Sequence, residues 1–121
     1  MSKKILVVDD SAAIRQSTSF VLDQAGYSIV QAEDGMDGLA KMGEDKFDLI
    51  ITDVNMPNLD GIGFTRKVRE NADWKFIPIV VLTTESQESK MKEGKEAGAT
   101  GWIVKPFNAE KLLGVVKKLI G

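Results

Sequence analysis

Ile5-Leu6-Val7-Val8-Asp9-Asp10 is an unbroken apolar run closed by two acids. Continuous apolar character, without polar alternation, suits a β-strand covered on both faces, as in a parallel sheet. The same design returns at Leu49-Ile50-Ile51, Ile79-Val80-Val81-Leu82 and Ile103-Val104, and more weakly at Tyr27-Ser28-Ile29-Val30. Helix-length segments separate these runs. Ile14, Val21, Leu22 and Ala25 make one stripe of helical period; Leu112, Leu113, Val116, Leu119 and Ile120 make another. Gly26 and Gly98 stand where helices should stop, just before the second and fifth strands. A β-α alternation repeated five times predicts an α/β fold, with helices on both faces of a parallel sheet.

The chain has 121 residues, 43% hydrophobic and 28% charged, which suits one soluble domain with a core of its own. There are no cysteines, so a disulfide framework and a Cys-based zinc site are excluded. There is no histidine either. Ser-His and Cys-His catalysis are therefore excluded, and any histidine the chemistry needs must come from a partner. The first residues lack the apolar stretch of a secretory signal, and no run reaches membrane-spanning length, so a cytoplasmic location is expected. A net charge of −2 argues against nucleic acid as the main partner. The acids concentrate early: residues 1–82 carry −4 and residues 83–121 carry +2.

In an open parallel sheet, ligands bind beyond the carboxyl ends of the strands. The first strand ends in Asp9-Asp10, the third in Asp53, the fourth in Thr83 and the fifth in Lys105. Glu33-Asp34 follow the second strand and would join the group only if that strand were central. Three acids packed together repel, and burial raises their pKa values unless a cation compensates. Lys105 supplies one positive charge, and Mg²⁺ is the natural supplement because it takes carboxylate oxygens and keeps positions for water and phosphate. A carboxylate beside Mg²⁺ and a lysine is placed to attack phosphorus and form an aspartyl phosphate. Thr83 would then donate a hydrogen bond to the new phosphoryl group. Taken singly, these residues also read as helix caps, turns and loop residues. Their joint occurrence at the strand ends of one sheet is what points to chemistry.

Four segments resemble the signatures of the receiver domains of two-component response regulators. They are Val7-Val8-Asp9-Asp10-Ser11, Asp53-Val54-Asn55-Met56-Pro57 with Asp60-Gly61, Leu82-Thr83 and Val104-Lys105-Pro106-Phe107. The resemblance covers essentially the whole chain, 1–121, with no output domain expected. It implies a flavodoxin-like, doubly wound sheet of five parallel strands in the order 2-1-3-4-5, with five helices. It implies that Asp53 accepts the phosphoryl group. Asp10, Asp53 and the Asn55 carbonyl would hold Mg²⁺, with Asp9 acting through water. Thr83 and Lys105 would contact the phosphoryl group, and the Lys105–Pro106 bond would be cis. Thr83 and Trp102 would form the switch pair, while Asn55 and Glu85 would tune self-dephosphorylation.

The same resemblance implies a histidine kinase of the CheA-like type as phosphodonor. It implies a flagellar-motor switch protein or another protein as target, with a phosphatase as a further partner. No membrane partner is expected, and the state should be monomeric. Self-catalysed phosphotransfer and dephosphorylation are expected, without turnover of a separate substrate. Chemotaxis is the favoured setting, with a place in another phosphorelay, as intermediate or phosphate sink, as the alternative.

The segment Ser89 to Ala97 reads as a poorly anchored helix with only Met91 and Ala97 as apolar contacts and Gly94 inside it. With Trp102 and the last helix it is expected to form the responsive surface. Lys90, Lys92, Lys95, Lys111 and Lys118 there suit an acidic partner segment. Trp74 reads as loop packing. Two other classes compete. A Mg²⁺-dependent phosphohydrolase would want a second Asp where Asn55 stands, and a flavin mononucleotide carrier would not place Asp9-Asp10 against a phosphate.

Overall fold

Side-chain direction alternates along each strand, and here that alternation sorts the apolar residues into two cores. The computed structural model describes residues 3–83 and 88–121, apart from the side chains of residues 88–90. The elements run β1 (Lys4–Val8), α1 (Ala12–Gln24), β2 (Ser28–Ala32), α2 (Gly35–Glu44), β3 (Leu49–Asp53), α3 (Gly61–Glu70), β4 (Ile79–Thr83), α4 (Glu88–Ala97), β5 (Gly101–Val104) and α5 (Ala109–Ile120). The five strands form one parallel sheet in the order β2-β1-β3-β4-β5, as the resemblance implied.

Leu6, Val8, Ile50, Ile79 and Val81 point to one face, where Met42 of α2, Phe64 and Val68 of α3, and Ala97 of α4 cover them. Ile5, Val7, Leu49, Ile51, Val80, Leu82 and Ile103 point to the other, against Leu22 of α1 and Leu112 and Val116 of α5. The central strands β3 and β4 are buried throughout. In the edge strand β2, Ser28 and Gln31 are exposed, which explains its weaker apolar signal.

Helix starts are fixed by side-chain caps. Ser11, Asp34, Asp60 and Asn108 each accept a hydrogen bond from the backbone N–H three residues on. Such a cap contributes roughly 1 kcal/mol. Gly26 and Gly98, which close α1 and α4, have φ of +98° and +110°, in the left-handed region that glycine tolerates. The α1 stripe differs from the sequence reading. Its buried residues are Thr18, Ser19 and Leu22, while Ala25 is an exposed C-cap. Leu22 carries its large apolar contact with the core, and Val21 packs beside it, half-buried.

Arg69 of α3 ties two later connections together. Its guanidinium donates to the carbonyls of Gly98 (3.0 Å), Ile77 (2.6 Å) and Lys75 (3.1 Å), and reaches the Thr100 hydroxyl at 3.4 Å. Trp74 sits in this connection, partly buried against the core, in accord with its reading as loop packing. Among the described residues, no helix is long and apolar enough to cross a membrane.

Candidate functional site

Val7, Ile51 and Ile103 lie in the same core, and two residues further along each strand stand Asp9, Asp53 and Lys105. Strand period therefore delivers all three side chains to one side of the sheet at its carboxyl edge. Lys105 Nζ lies 3.1 Å from Asp53 Oδ1 and 3.3 Å from Asp9 Oδ2. The Asp9 side chain is only 1% exposed and that of Lys105 only 10%. The second Asp9 oxygen accepts from the Ser11 N–H at 2.9 Å, so this acid serves both the turn and the pocket. Arg15 braces the same turn by donating to the Asp9 carbonyl at 2.7 Å and to Gln31 at 3.1 Å.

Asp10 lies on the exposed rim. One oxygen from each of Asp9, Asp10 and Asp53 lies within 4.8 Å of the others. Oxygens around a single Mg²⁺ lie roughly 3 to 4 Å apart, given bonds of about 2.1 Å. An all-oxygen set at nearly this spacing, with one acid free to adjust on the rim, fits a hard divalent ion. Burial pushes the Asp53 carboxyl above the usual carboxylate range; Lys105 pulls it down and Asp9 adds to the rise.

Asn55 follows β3 as an exposed residue of the loop 54–60. Gly61 returns that loop directly beneath Asp53. A Cβ there would lie 2.0 Å from the Asp53 carbonyl oxygen, and the Gly61 N–H donates to the Val54 carbonyl at 2.8 Å. No substituent fits at that position, which gives Asp60-Gly61 of the signature a physical role.

Thr83 is buried at the end of β4, and its carbonyl accepts from the Lys105 N–H at 2.6 Å. It ends the strand beside Asp53, whose register partner is Leu82. Trp102 pairs with Val81 in register and packs against the core on the α4 side, partly buried. Its Nε1 is buried without a hydrogen-bond partner among the described residues. The indole packs under α4 where Gly94 leaves room: a Cβ on Gly94 would lie 2.7 Å from Trp102 Cζ3. The Lys105–Pro106 peptide is cis. Glu85 lies outside the described residues.

The structure thus brings together Asp9, Asp10, Asp53 and Lys105, with Thr83 ending the adjacent strand. Glu33 and Asp34 stay apart, because β2 is an edge strand. Asp34 caps α2 and binds Asn58 instead. Sequence reasoning missed this contact, Arg15 and the clearance at Gly94. Each depends on a neighbour distant in the chain, and none belongs to a local motif. Two depressions mark the surface, one of them bordering Lys105. One, of about 360 Å³, is lined by Ile14, Lys105, Pro106 and Phe107. The other, of about 520 Å³, lies along α4 and β5 and includes Met91, Lys92, Lys95 and Trp102.

Five parallel strands in this order, with acids and a lysine gathered at their carboxyl edge, define a flavodoxin-like α/β domain of the CheY type. Within that class the chain belongs to the response regulator receiver domain family, whose description matches residues 5–117. It is a receiver of two-component signalling, a phosphorylation-dependent switch of a kind that does not turn over a separate substrate.

The chemotaxis protein CheY4 of Vibrio cholerae superposes with a TM-score of 0.95 at 49% identity, over 98% of this chain and 99% of that one. ResD, a transcriptional regulatory protein of Bacillus subtilis, is 42% identical over 117 residues, 97% of this chain and 48% of ResD. The chain therefore spans about half the length of that relative. The receiver domain of the sensor histidine kinase PA1611 from Pseudomonas aeruginosa, solved with a magnesium ion coordinated in its active site cleft, aligns at 26% identity with a TM-score of 0.92. That alignment covers 100% of this chain and 99% of the PA1611 domain.

Proposed function

We propose that Asp53 takes a phosphoryl group from a phosphohistidine of a CheA-like kinase, and that the modified protein binds a flagellar-motor switch component. The observation that carries the reading is the Asp53 carboxylate, held 3.1 Å from Lys105 Nζ inside a three-acid pocket open at its rim. An Asp53 oxygen forms the new O–P bond as the P–N bond of the donor breaks; the departing imidazole takes up a proton. Because the chain has no histidine, that group must arrive from outside. The apolar depression at Ile14, Pro106 and Phe107 borders Lys105 and suits the docking of such a donor.

Asp10 and Asp53 with the Asn55 carbonyl would hold Mg²⁺, and Asp9 would act through water. Mg²⁺ bound there supplies positive charge against the oxygens of the transferring group. Lys105 is positioned to leave its carboxylate partners and pair with a phosphoryl oxygen, and Thr83 to donate its hydroxyl proton in a hydrogen bond. Modification adds nearly two negative charges at this point. The output surface would be α4, β5 and α5, where Lys92, Lys95, Lys111 and Lys118 are exposed and suit an acidic target segment.

Incubation with Mg²⁺ and a small acyl phosphate should add one phosphoryl group by intact mass in the wild type and none in Asp53→Asn. An unmodified, folded wild type would refute the assignment of Asp53. Half-length identity to a transcriptional regulatory protein supports a second reading, a relay outside chemotaxis. Capture of the phosphorylated protein by a motor-switch peptide, and not by a histidine phosphotransfer domain, decides for the first.

A further inference from the structure

Asp34 follows the second strand, lies away from the acid pocket and takes no part in the chemistry described above. Its two oxygens are nevertheless both engaged. Oδ1 accepts from the Asp37 N–H at 2.8 Å, capping α2, and Oδ2 accepts from Asn58 Nδ2 at 2.8 Å. Asn58 belongs to the loop that carries Asn55. Among the described residues it is the only non-glycine with positive φ, at +69°. Asparagine tolerates that conformation better than most residues, but at some cost, so a neighbour must hold it there. The loop also presses on the start of α2: a Cβ on Gly35 would lie 2.5 Å from the Leu59 carbonyl oxygen.

We propose that the Asp34–Asn58 hydrogen bond is a latch between α2 and the loop 54–60 that pre-sets the Asn55 carbonyl for a divalent ion, making Asp34 a positioning residue for the acid pocket. The inference rests on the reading of Asp9, Asp10, Asp53 and Asn55 as a Mg²⁺ site. The loop is tied at its two ends, by Val54 N–H to the Leu82 carbonyl at 3.0 Å and Gly61 N–H to the Val54 carbonyl at 2.8 Å. Between those ties, Met56 and Leu59 pack against the core, and the side-chain hydrogen bond to the start of the neighbouring helix comes from Asn58. Asn55 stands one residue after the first tie and three before the latch. With the latch cut, the Asn55 carbonyl must be ordered at the moment of binding, and affinity falls by that entropy.

Two substitutions cut the latch while sparing what surrounds it. Asp34→Ser keeps a good helix cap but cannot reach Asn58. Asn58→Gly keeps the left-handed backbone but removes the amide. Titration calorimetry with MgCl₂ alone should show each variant binding roughly three- to tenfold more weakly than wild type, with the double variant no weaker than either single one. Melting temperatures without Mg²⁺ should stay within about 3 °C of wild type, as surface changes of this size predict. Wild-type affinity in both variants would overturn the inference. So would losses that multiply in the double variant, or losses accompanied by a larger fall in melting temperature. Asp10→Asn serves as the reference. If wild type and Asp10→Asn both fail to bind Mg²⁺, the metal-site reading itself falls and takes the latch with it. If Asp10→Asn alone loses binding while the latch variants keep it, only the latch falls.

Discussion

Asp53 carries opposing demands. It must be ionised to attack phosphorus, yet burial raises its pKa, only partly offset by Lys105. An acid whose pKa is higher in the folded than in the unfolded state favours folding most when protonated. That contribution is present below the unfolded value of 3.8 and is lost as pH rises through the folded value. Asp53→Asn should therefore raise the metal-free melting temperature at pH 7, by roughly 2–5 °C. The gain should shrink towards zero near pH 4, as thermal scans across pH would show. Lys105→Met has the opposite sign. It leaves two largely buried carboxylates without their cation and should cost about 2–3 kcal/mol at pH 7, discounted for access to solvent, and less at pH 4. Denaturant titration at the two pH values checks this. The gathering of these residues at one edge was legible in the sequence, because strand ends and chemically distinctive residues coincide. The double duty of Asp9 was not. Which oxygen meets Ser11 and which meets Lys105 depends on a turn conformation that residue types do not specify.

The sequence reads α4 as weakly anchored, from its few apolar contacts and from Gly94. Its position beneath the indole adds a second role that propensity alone cannot reveal. Gly94→Ala should stabilise an isolated helix by roughly 1 kcal/mol. Here the added methyl meets Trp102 Cζ3, so stability should stay level or fall and tryptophan emission should shift. In a Trp102→Ala background the same substitution should stabilise by about 1 kcal/mol, a difference that a double-mutant cycle measures. At its other end α4 is held by Arg69, whose guanidinium spans Gly98, Ile77 and Lys75. Desolvation lowers the pKa of Arg69 from its ordinary value, and the group keeps its charge. Arg69→Met should cost about 2 kcal/mol, since each hydrogen bond from a charged donor contributes about 1.5 kcal/mol or more and the group is only partly buried. Amide exchange should accelerate at Gly98, Ala99 and Thr100 before it does so in β3. This clasp was not legible beforehand, because its partners are backbone carbonyls and any residue type supplies one.

For the whole molecule, the repeated β-α alternation led to the α/β class, and the strength of each apolar run followed its depth. The strongest runs form the three central strands, and the two weakest, at Tyr27 to Val30 and Ile103-Val104, form the edges. Strand order itself came from family resemblance, since apolar pattern ranks strands by burial without saying which edge is which. That order keeps Asp34 out of the pocket and places it against Asn58. The same sheet also works as an insulating partition. The core beneath Asp53 packs on one side of it and Trp102 and α4 on the other, and the layer between is hydrogen-bonded backbone with close-packed hydrocarbon on both faces. A charge placed on the first side is not conducted through such a layer. Among the described residues, the two faces meet at the rim, where the last peptide of β4 accepts from the first residue beyond β5. A substitution deep in the partition would then weaken the wall without muting the message, whereas a change of one atom at the rim touches a crossing.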